Sequence, residues 1–414
     1  MNPKVVLGFS GGLDTSFCVK WLQEYNYEPI CVTLDIGQET DMRKVKQRVA
    51  ELGVQDIRVI DGTDDFVNYF IVPALKANAL YQGVYPLATA LSRPFIGKIL
   101  ADVARELGTP YVAHGCTGKG NDQVRIELAV RALLPNAQIL DPVRDENHSR
   151  EEEIQYLAAR NVQTEITVEK PYSIDQNLWG RSICGGVLED IWGEPPEEVF
   201  AWTCSIENCP DQAEEIELEF KSGVPVSLNQ EPQKLTEIIK MLNERGGMHG
   251  IGRIDHIEDR VVGIKTREIY EAPAAIILIK AHQALESLTL TGASLGFKKR
   301  IEEEYAQLIY QGGWFSHHHM DLVAYLQHNQ RNVTGRVRLK LHKGNCIPTG
   351  KASDFSLYRK ELATYTSASL YDQPAAAAFV KIFGMANTVQ AQAQLFNFAH
   401  ETRVLMDSQS KSAT

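Results

Sequence analysis

The chain opens on an apolar run, Val5-Val6-Leu7, followed after a glycine turn by apolar positions at Phe17, Cys18, Trp21 and Leu22. The first pattern is that of a strand buried on both faces, and the second is one side of a helix. Ile30 to Leu34 reads as a second strand, Met42, Val45, Val49 and Leu52 as a second helix, and Ile57 to Ile60 as a third strand. Phe95, Ile96, Ile99, Val103 and Leu107 mark a long helix before a strand at Tyr111 to Ala113. Short apolar strands alternating with helices predict a doubly wound parallel sheet, an α/β domain.

From Asp141 to Glu153 the chain is charged and turn-rich, and a helix at Ile154 to Leu157 and a strand at Thr164 to Val168 precede Lys170-Pro171. Beyond this the pattern changes. Val333, Gly335, Val337, Leu339 and Leu341 alternate with Thr334, Arg336, Arg338, Lys340 and His342, a half-exposed antiparallel strand that ends at the turn Lys343-Gly344-Asn345. We therefore expect a parallel-sheet domain over residues 1–165, an α+β domain over 166–384 and a C-terminal oligomerisation helix and tail over 385–414. The stretch Thr388 to Asp407 carries a thin apolar stripe, Leu395, Phe398 and Leu405, too little for a helix alone in water, so packing on another subunit is expected.

A length of 414 residues exceeds what one hydrophobic core supports, in keeping with more than one domain. With 44% hydrophobic and 23% charged residues the composition is globular, and no apolar run approaches the roughly 20 residues of a membrane span. The N-terminus lacks a signal-peptide pattern, and seven cysteines in no pairwise framework suit a reducing compartment, so a cytoplasmic location is expected. Cys204 and Cys209 read as free thiols rather than zinc ligands. A net charge of −11 argues against nucleic acid as the main partner.

Candidate chemistry concentrates in Ser10-Gly11-Gly12-Leu13-Asp14-Thr15-Ser16, between the first strand and the first helix. Paired glycines let the backbone approach an anion, hydroxyls add donors, and the N–H groups of the helix start favour negative charge, so a phosphate is expected there. No lysine follows the glycines, so the loop is not GxxxxGK[ST], and Asp14 beside phosphates points to a magnesium contact or a substrate orienter. A second loop, His114-Gly115-Cys116-Thr117-Gly118-Lys119-Gly120-Asn121-Asp122-Gln123, follows the later strand and opens another helix. Strand ends of this kind are where doubly wound folds bind ligands. Cys184 has no readable histidine partner and is taken as packing, and His317-His318-His319 as a surface loop rather than a metal site.

SGGLDTS resembles the pyrophosphate loop of the N-type ATP pyrophosphatases, which cleave ATP between the α and β phosphates. Within that superfamily, ALYQGVYPLATALSRP from Ala79, HGCTGKGNDQVR from His114, SIDQNLWGRS from Ser173, EFKSGVPV from Glu219 and GRIDHIEDRVVGIKTREIYEAP from Gly252 resemble the argininosuccinate synthase family, in order and over nearly the whole chain. The resemblance implies ligation of citrulline to aspartate with ATP and magnesium, through a citrulline adenylate, in a homotetramer. It implies ATP binding by Gly8, Phe9, Ser10, Gly11, Gly12, Leu13, Asp14, Thr15 and Ser16, with Gly115 closest on the second loop and Thr33 and Leu34 beside adenine. It implies citrulline binding by Tyr85, Asn121, Arg125, Ser173, Ser182, Glu258 and Tyr270, and aspartate binding by Thr117, Asn121 and Asp122. Asp14 and Asp122 are the catalytic candidates by orientation, and Asp14 the magnesium candidate. Two positions depart from the family pattern. Leu34 stands where a small residue is usual, and Ala90 where some members have a serine, a loss that Thr89 or Arg93 is expected to cover.

Two rival readings share parts of this pattern. Another pyrophosphatase-type enzyme, amide-forming or tRNA-thiolating, would carry SGGLDTS without the later blocks, and a tRNA enzyme would be more basic. A nucleotide-binding protein without turnover would show damage in the phosphate loop or at Asp122, and neither is seen.

Overall fold

Val5 and Leu7 face one layer of helices and Val6 the other, so strand β1 (Lys4–Gly8) is buried on both sides. In this computed structural model, which describes residues 2–162 and 172–395, β1 is the centre of a parallel five-stranded sheet. The others are β2 (Glu28–Asp35), β3 (Ile57–Asp61), β4 (Tyr111–Ala113) and β5 (Gln138–Leu140), in the order β3-β2-β1-β4-β5. Helices α1 (Leu13–Glu24), α2 (Met42–Glu51) and α5 (Arg150–Ala158) cover the Val5 and Leu7 face through Phe17, Leu22, Val45, Val49 and Leu157. Helices α3 (Ala88–Leu107) and α4 (Asp122–Leu133) cover the Val6 face through Leu100, Val103, Ile126 and Val130. The expected doubly wound architecture is therefore present. Chain order reverses at β1, which leaves a crevice between the C-terminal ends of β1 and β4.

Two antiparallel sheets follow. One has the order β11-β12-β7-β6, from β6 (Ser173–Asn177), β7 (Gly180–Cys184), β11 (Arg253–Asp259) and β12 (Lys265–Glu271). The other has the order β10-β9-β8-β13-β14, from β8 (Glu214–Lys221), β9 (Val224–Leu228), β10 (Glu231–Pro232), β13 (Gly335–His342) and β14 (Asn345–Ala352). Val337, Leu339 and Leu341 of β13 are fully buried while Arg336, Arg338 and Lys340 are exposed, as the alternation requires. Helices α6 (Leu235–Met248), α7 (Pro273–Thr289), α8 (Gly292–Tyr310) and α9 (His317–Asn329) complete this α+β region, with α7 buried along most of its length.

Two local expectations need correction. His317, His318 and His319 are not a surface loop: Ser316 caps α9 by accepting from the His319 N–H, and His319 is buried beside Trp314 and Tyr305. Much of the stretch from Asp141 to Glu153 is helical, because Ser149 and Glu152 close a capping box that starts α5. The strand expected at Thr164 to Val168, Lys170-Pro171 and the boundary at 165 lie outside the described residues, as do Phe398, Leu405 and the side chain of Leu395. By contacts the chain divides into one unit of residues 1–357 and a smaller one of residues 358–414. In the smaller unit α10 (Gln373–Phe383) and α11 (Met385–Gln390) leave Phe379, Val380, Ile382 and Phe383 exposed.

The approach of α3 to α4 rests on Gly97, where a Cβ would stand 2.7 Å from the Ala129 Cβ and 2.9 Å from the Ile126 carbonyl oxygen. Gly97→Val should therefore destabilise the fold by about 1–3 kcal/mol. Chemical denaturation would read this as a lowered midpoint, and an unchanged midpoint would contradict the packing described.

Candidate active site

The SGGLDTS segment leaves β1 at Gly8 and starts α1 at Leu13. Gly11 has φ +84°, a conformation that favours glycine, and Gly12, the residue preceding α1, makes no side-chain cap. The first N–H groups of α1 are thus open to an anion. Ser10 Oγ lies 3.2 Å from Thr15 Oγ1 and accepts from the Gly12 N–H at 3.3 Å, which shapes the loop. Ser16 is used internally: its hydroxyl donates to the Gly12 carbonyl at 2.7 Å and accepts from Arg48.

Across the switch point, β4 ends at Ala113 and the second loop comes up against the first. A Cβ at Gly115 would be 3.2 Å from the Asp14 backbone and 3.1 Å from Cys18 Sγ, so glycine permits the loops to meet. A cleft of about 720 Å³ opens here. Its lining includes Gly8, Phe9, Ser10, Gly12, Leu13, Asp14, Thr15, Thr33, Leu34, Gly115, Thr117, Asp122 and Ser173. Leu34 fits because its side chain projects over Gly62, where a Cβ would stand 2.7 Å from it.

The antiparallel sheet β11-β12-β7-β6 supplies the far wall. Register pairs Asp175 with Ser182 and Ser182 with Tyr270, so these side chains share a face. Ile254 lies opposite Tyr270, and Glu258, four positions further along β11, keeps that face. Tyr85, Thr89, Asn121, Arg125, Ser182, Glu258 and Tyr270 lie outside the lining of the main cleft. Most of them instead form a buried cluster next to it. The Tyr270 hydroxyl donates to Glu258 Oε2 at 2.6 Å, and the Tyr310 hydroxyl donates to Glu258 Oε1 at 2.7 Å. The Tyr85 and Tyr270 rings stack at 4.2 Å. Asn121 Nδ2 donates to the Tyr310 hydroxyl at 2.8 Å, and Asn121 Oδ1 accepts from the Val261 N–H at 2.8 Å. Thr89 takes up the Tyr85 hydroxyl, with Oγ1 at 2.6 Å and its N–H donating at 2.9 Å, next to a fully buried Ala90.

Main cleft and cluster meet at Asp122. Its Oδ2 accepts from Arg93 at 2.7 Å, and its Oδ1 lies 3.4 Å from Arg125 Nη1. Arg93 also reaches Asp175 Oδ1 at 2.7 Å, joining α3 to β6. Desolvation acts to raise the Asp122 carboxyl, but Arg93 and Arg125 outweigh it and hold the carboxyl below its ordinary value. Such a carboxyl is a weak base. Arg125 is 2% exposed, and its Nη2 has no hydrogen-bond partner among the described residues, an unmet donor facing no protein acceptor.

Asp14 packs against Glu153 of α5. Burial raises both carboxyls, and the Asp14 charge helps push Glu153 up to about 8. Glu153 Oε2 is buried without a partner among the described residues. Two carboxylates are hard oxygen donors, so this corner of the loop suits a divalent cation. Cys184 does not suit a nucleophile: burial, followed by the neighbouring Glu268, lifts its thiol to about 12.

Sequence reasoning missed Tyr310, Asp175 and Glu153, and it missed the acidic partners of His114. His114 is 3% exposed, with Nδ1 3.3 Å from Asp141 and Nε2 3.5 Å from Glu127. Desolvation opposes its charge, yet Cys116, Glu127 and Asp141 together push its pKa up to about 10. His114 and Asp175 lay in blocks quoted from the sequence, while Tyr310 and Glu153 become neighbours of the site through long-range contacts.

Two family models match: the N-terminal HUP domain of arginosuccinate synthase over residues 4–163 and the arginosuccinate synthase C-terminal domain over residues 172–390. The argininosuccinate synthase of Dictyoglomus turgidum is 50% identical over 391 residues, covering 94% of this chain and 98% of that protein. That of Geobacillus kaustophilus is 50% identical over 390 residues, covering 94% and 96%. Among solved structures, a 4-thiouridine synthetase–RNA complex with bound ATP matches 38% of this chain and 40% of that one at 15% identity, with a TM-score of 0.28, too low to bear on the reading.

Glu127 tests the electrostatics of the second loop. The His114 ring 3.5 Å away first, then hydrogen bonds from Arg144 and Arg131, lower its pKa from 4.5 to about 2. A depressed carboxyl stabilises the fold above its unfolded value and loses that contribution as pH falls through the folded one. Glu127→Gln should therefore be less stable than the parent near neutrality, and urea denaturation should show the gap closing as pH falls from about 4.5 towards 2. A gap independent of pH would contradict the ion pairing.

Proposed function

We propose how the site divides its work, from the premise that the chain belongs to the argininosuccinate synthase family and joins citrulline to aspartate while ATP is cleaved to AMP and pyrophosphate. Gly8 to Ser16 and Gly115 hold ATP, with the open α1 N-terminus and the Ser10 and Thr15 hydroxyls at the phosphates and Thr33 and Leu34 towards adenine. Citrulline lies against Tyr85, Thr89, Asn121, Arg125, Ser173, Ser182, Glu258 and Tyr270, its carboxylate towards Arg125 and its ammonium towards Glu258. Aspartate is held by Thr117, Asn121 and Asp122. The observation that carries this reading is the unmet Nη2 donor of buried Arg125, whose Nη1 faces Asp122 in the lining of the cleft.

The ureido oxygen of citrulline attacks the α-phosphorus, the bond to the β-phosphate oxygen breaks and pyrophosphate departs, leaving a citrulline adenylate. The amine of aspartate then attacks the ureido carbon, AMP leaves with the transferred oxygen, and the proton lost by the amine passes to the departing phosphate or to solvent. Positioning and charge stabilisation account for the acceleration, and no protein nucleophile is needed. Asp122, held ionised by Arg93 and Arg125, aims the incoming amine rather than taking its proton. Asp14, with Glu153 behind it, would hold magnesium, which when bound neutralises charge on the pyrophosphate.

We extend the reading to the assembly: a synthetase region over 166–384 joined to the ATP-binding region 1–165, in a cytoplasmic homotetramer built in part by 385–414. The exposed apolar residues Phe379, Val380, Ile382 and Phe383 support association with further copies. Gel filtration should give a tetramer, and a monomer at working concentration would remove this part.

Turnover tests the chemistry. Argininosuccinate and AMP should form only with ATP, citrulline and aspartate together, and pyrophosphate released without citrulline would overturn the order of steps. Asp122→Asn should keep citrulline-dependent pyrophosphate exchange while the joining rate falls by about tenfold or more, the loss of a charge-assisted contact. Equal loss in both steps would show that Asp122 is not specific to aspartate.

A further inference from the structure

Tyr310, the last residue of α8, is 1% exposed, yet its hydroxyl is the junction of the buried cluster. It donates to Glu258 Oε1 at 2.7 Å and accepts from Asn121 Nδ2 at 2.8 Å. Its backbone carbonyl accepts from Arg125 Nε at 2.9 Å, and the Arg125 guanidinium lies over its ring, 4.7 Å from the centroid. The ring is clamped in turn. Tyr81 stacks on it at 3.5 Å with planes 3° apart, and the Tyr81 hydroxyl donates to the Asp259 carbonyl at 2.8 Å, next to Glu258.

These contacts divide by chemistry. The ring and the carbonyl set the guanidinium so that, among the described residues, Nη2 alone remains unpaired. The hydroxyl fixes a carboxylate on β11 relative to an amide at the start of α4. A free amino acid offers a carboxylate and an ammonium a fixed distance apart, so its receptor needs a cation and an anion held in fixed relation. We infer that Tyr310 is the positioning residue of the amino-acid receptor: through one hydroxyl it holds Glu258 and Asn121 in register with Arg125, and so sets the affinity for the α-amino-acid end of citrulline. This rests on the assignment of citrulline to that cluster. Tyr310 touches the residues that meet substrate and need not touch substrate itself.

Tyr310→Phe removes the hydroxyl and keeps the ring, the stack and the carbonyl. Citrulline half-saturation in pyrophosphate exchange should rise about tenfold, the size expected for one charge-assisted hydrogen bond. ATP half-saturation should stay near that of the parent, while the thermal midpoint falls modestly because Glu258 and Asn121 each lose one buried partner. Unchanged citrulline half-saturation would overturn the inference, as would parallel weakening of ATP and citrulline, which is the signature of a structural role alone. Arg125→Gln, measured alongside, separates the two levels. If it weakens citrulline and Tyr310→Phe does not, only the positioning role falls; if neither variant moves citrulline, its assignment to this cluster falls as well.

Discussion

Asp122 sits between two guanidinium groups, and much of the site depends on that arrangement. Arg93 comes from α3 and also pairs with Asp175 on β6, while Arg125 lies one helical turn further along α4. One carboxylate therefore ties the parallel sheet to the antiparallel sheet and the phosphate cleft to the buried cluster. Partly buried charges are costly unless well matched, and removing one partner leaves another uncompensated. Two guanidinium partners on one carboxylate fix its orientation. They also hold its carboxyl below the ordinary range, which makes it a weak base.

The two architectures contribute differently. The doubly wound sheet contributes backbone, because reversal of strand order at β1 aims two loops and the start of α1 at one crevice. The antiparallel sheet contributes side chains, every second residue along β6, β7, β11 and β12, which explains why Asp175, Ser182, Glu258 and Tyr270 converge although the chain separates them widely. Its opposite face is structural. Glu271, fully buried there, accepts from Arg181 at 2.6 Å, from the N–H groups of Ala201, Trp202 and Thr203 and from the Thr203 hydroxyl, binding a long connection to the sheet.

The parallel sheet was legible because each strand is a contiguous apolar run and each covering helix shows its own period. The turn from β1 into α1 was legible for a similar reason: its glycines, hydroxyls and Asp14 lie within a few residues of one another. Tyr310, Asp175 and Glu153 were not, since each has its place through partners far off in sequence, and a lone tyrosine at the end of a helix resembles any core tyrosine. The His317 to His319 run was misread because repetition drew attention from Ser316, a good helix cap. Leu34 stood out as a departure from its family, and the compensating space at Gly62 belongs to a neighbouring strand end that no local pattern connects to it.

The central claim is that the cleft brings the ureido oxygen of citrulline to the α-phosphorus of ATP before aspartate enters. Citrulline labelled with oxygen-18 in its ureido group tests this most directly, with mass spectrometry of the AMP formed in a complete reaction. The account predicts that one labelled oxygen passes to each AMP. Unlabelled AMP formed together with argininosuccinate would contradict it, because activation would then not proceed through that oxygen.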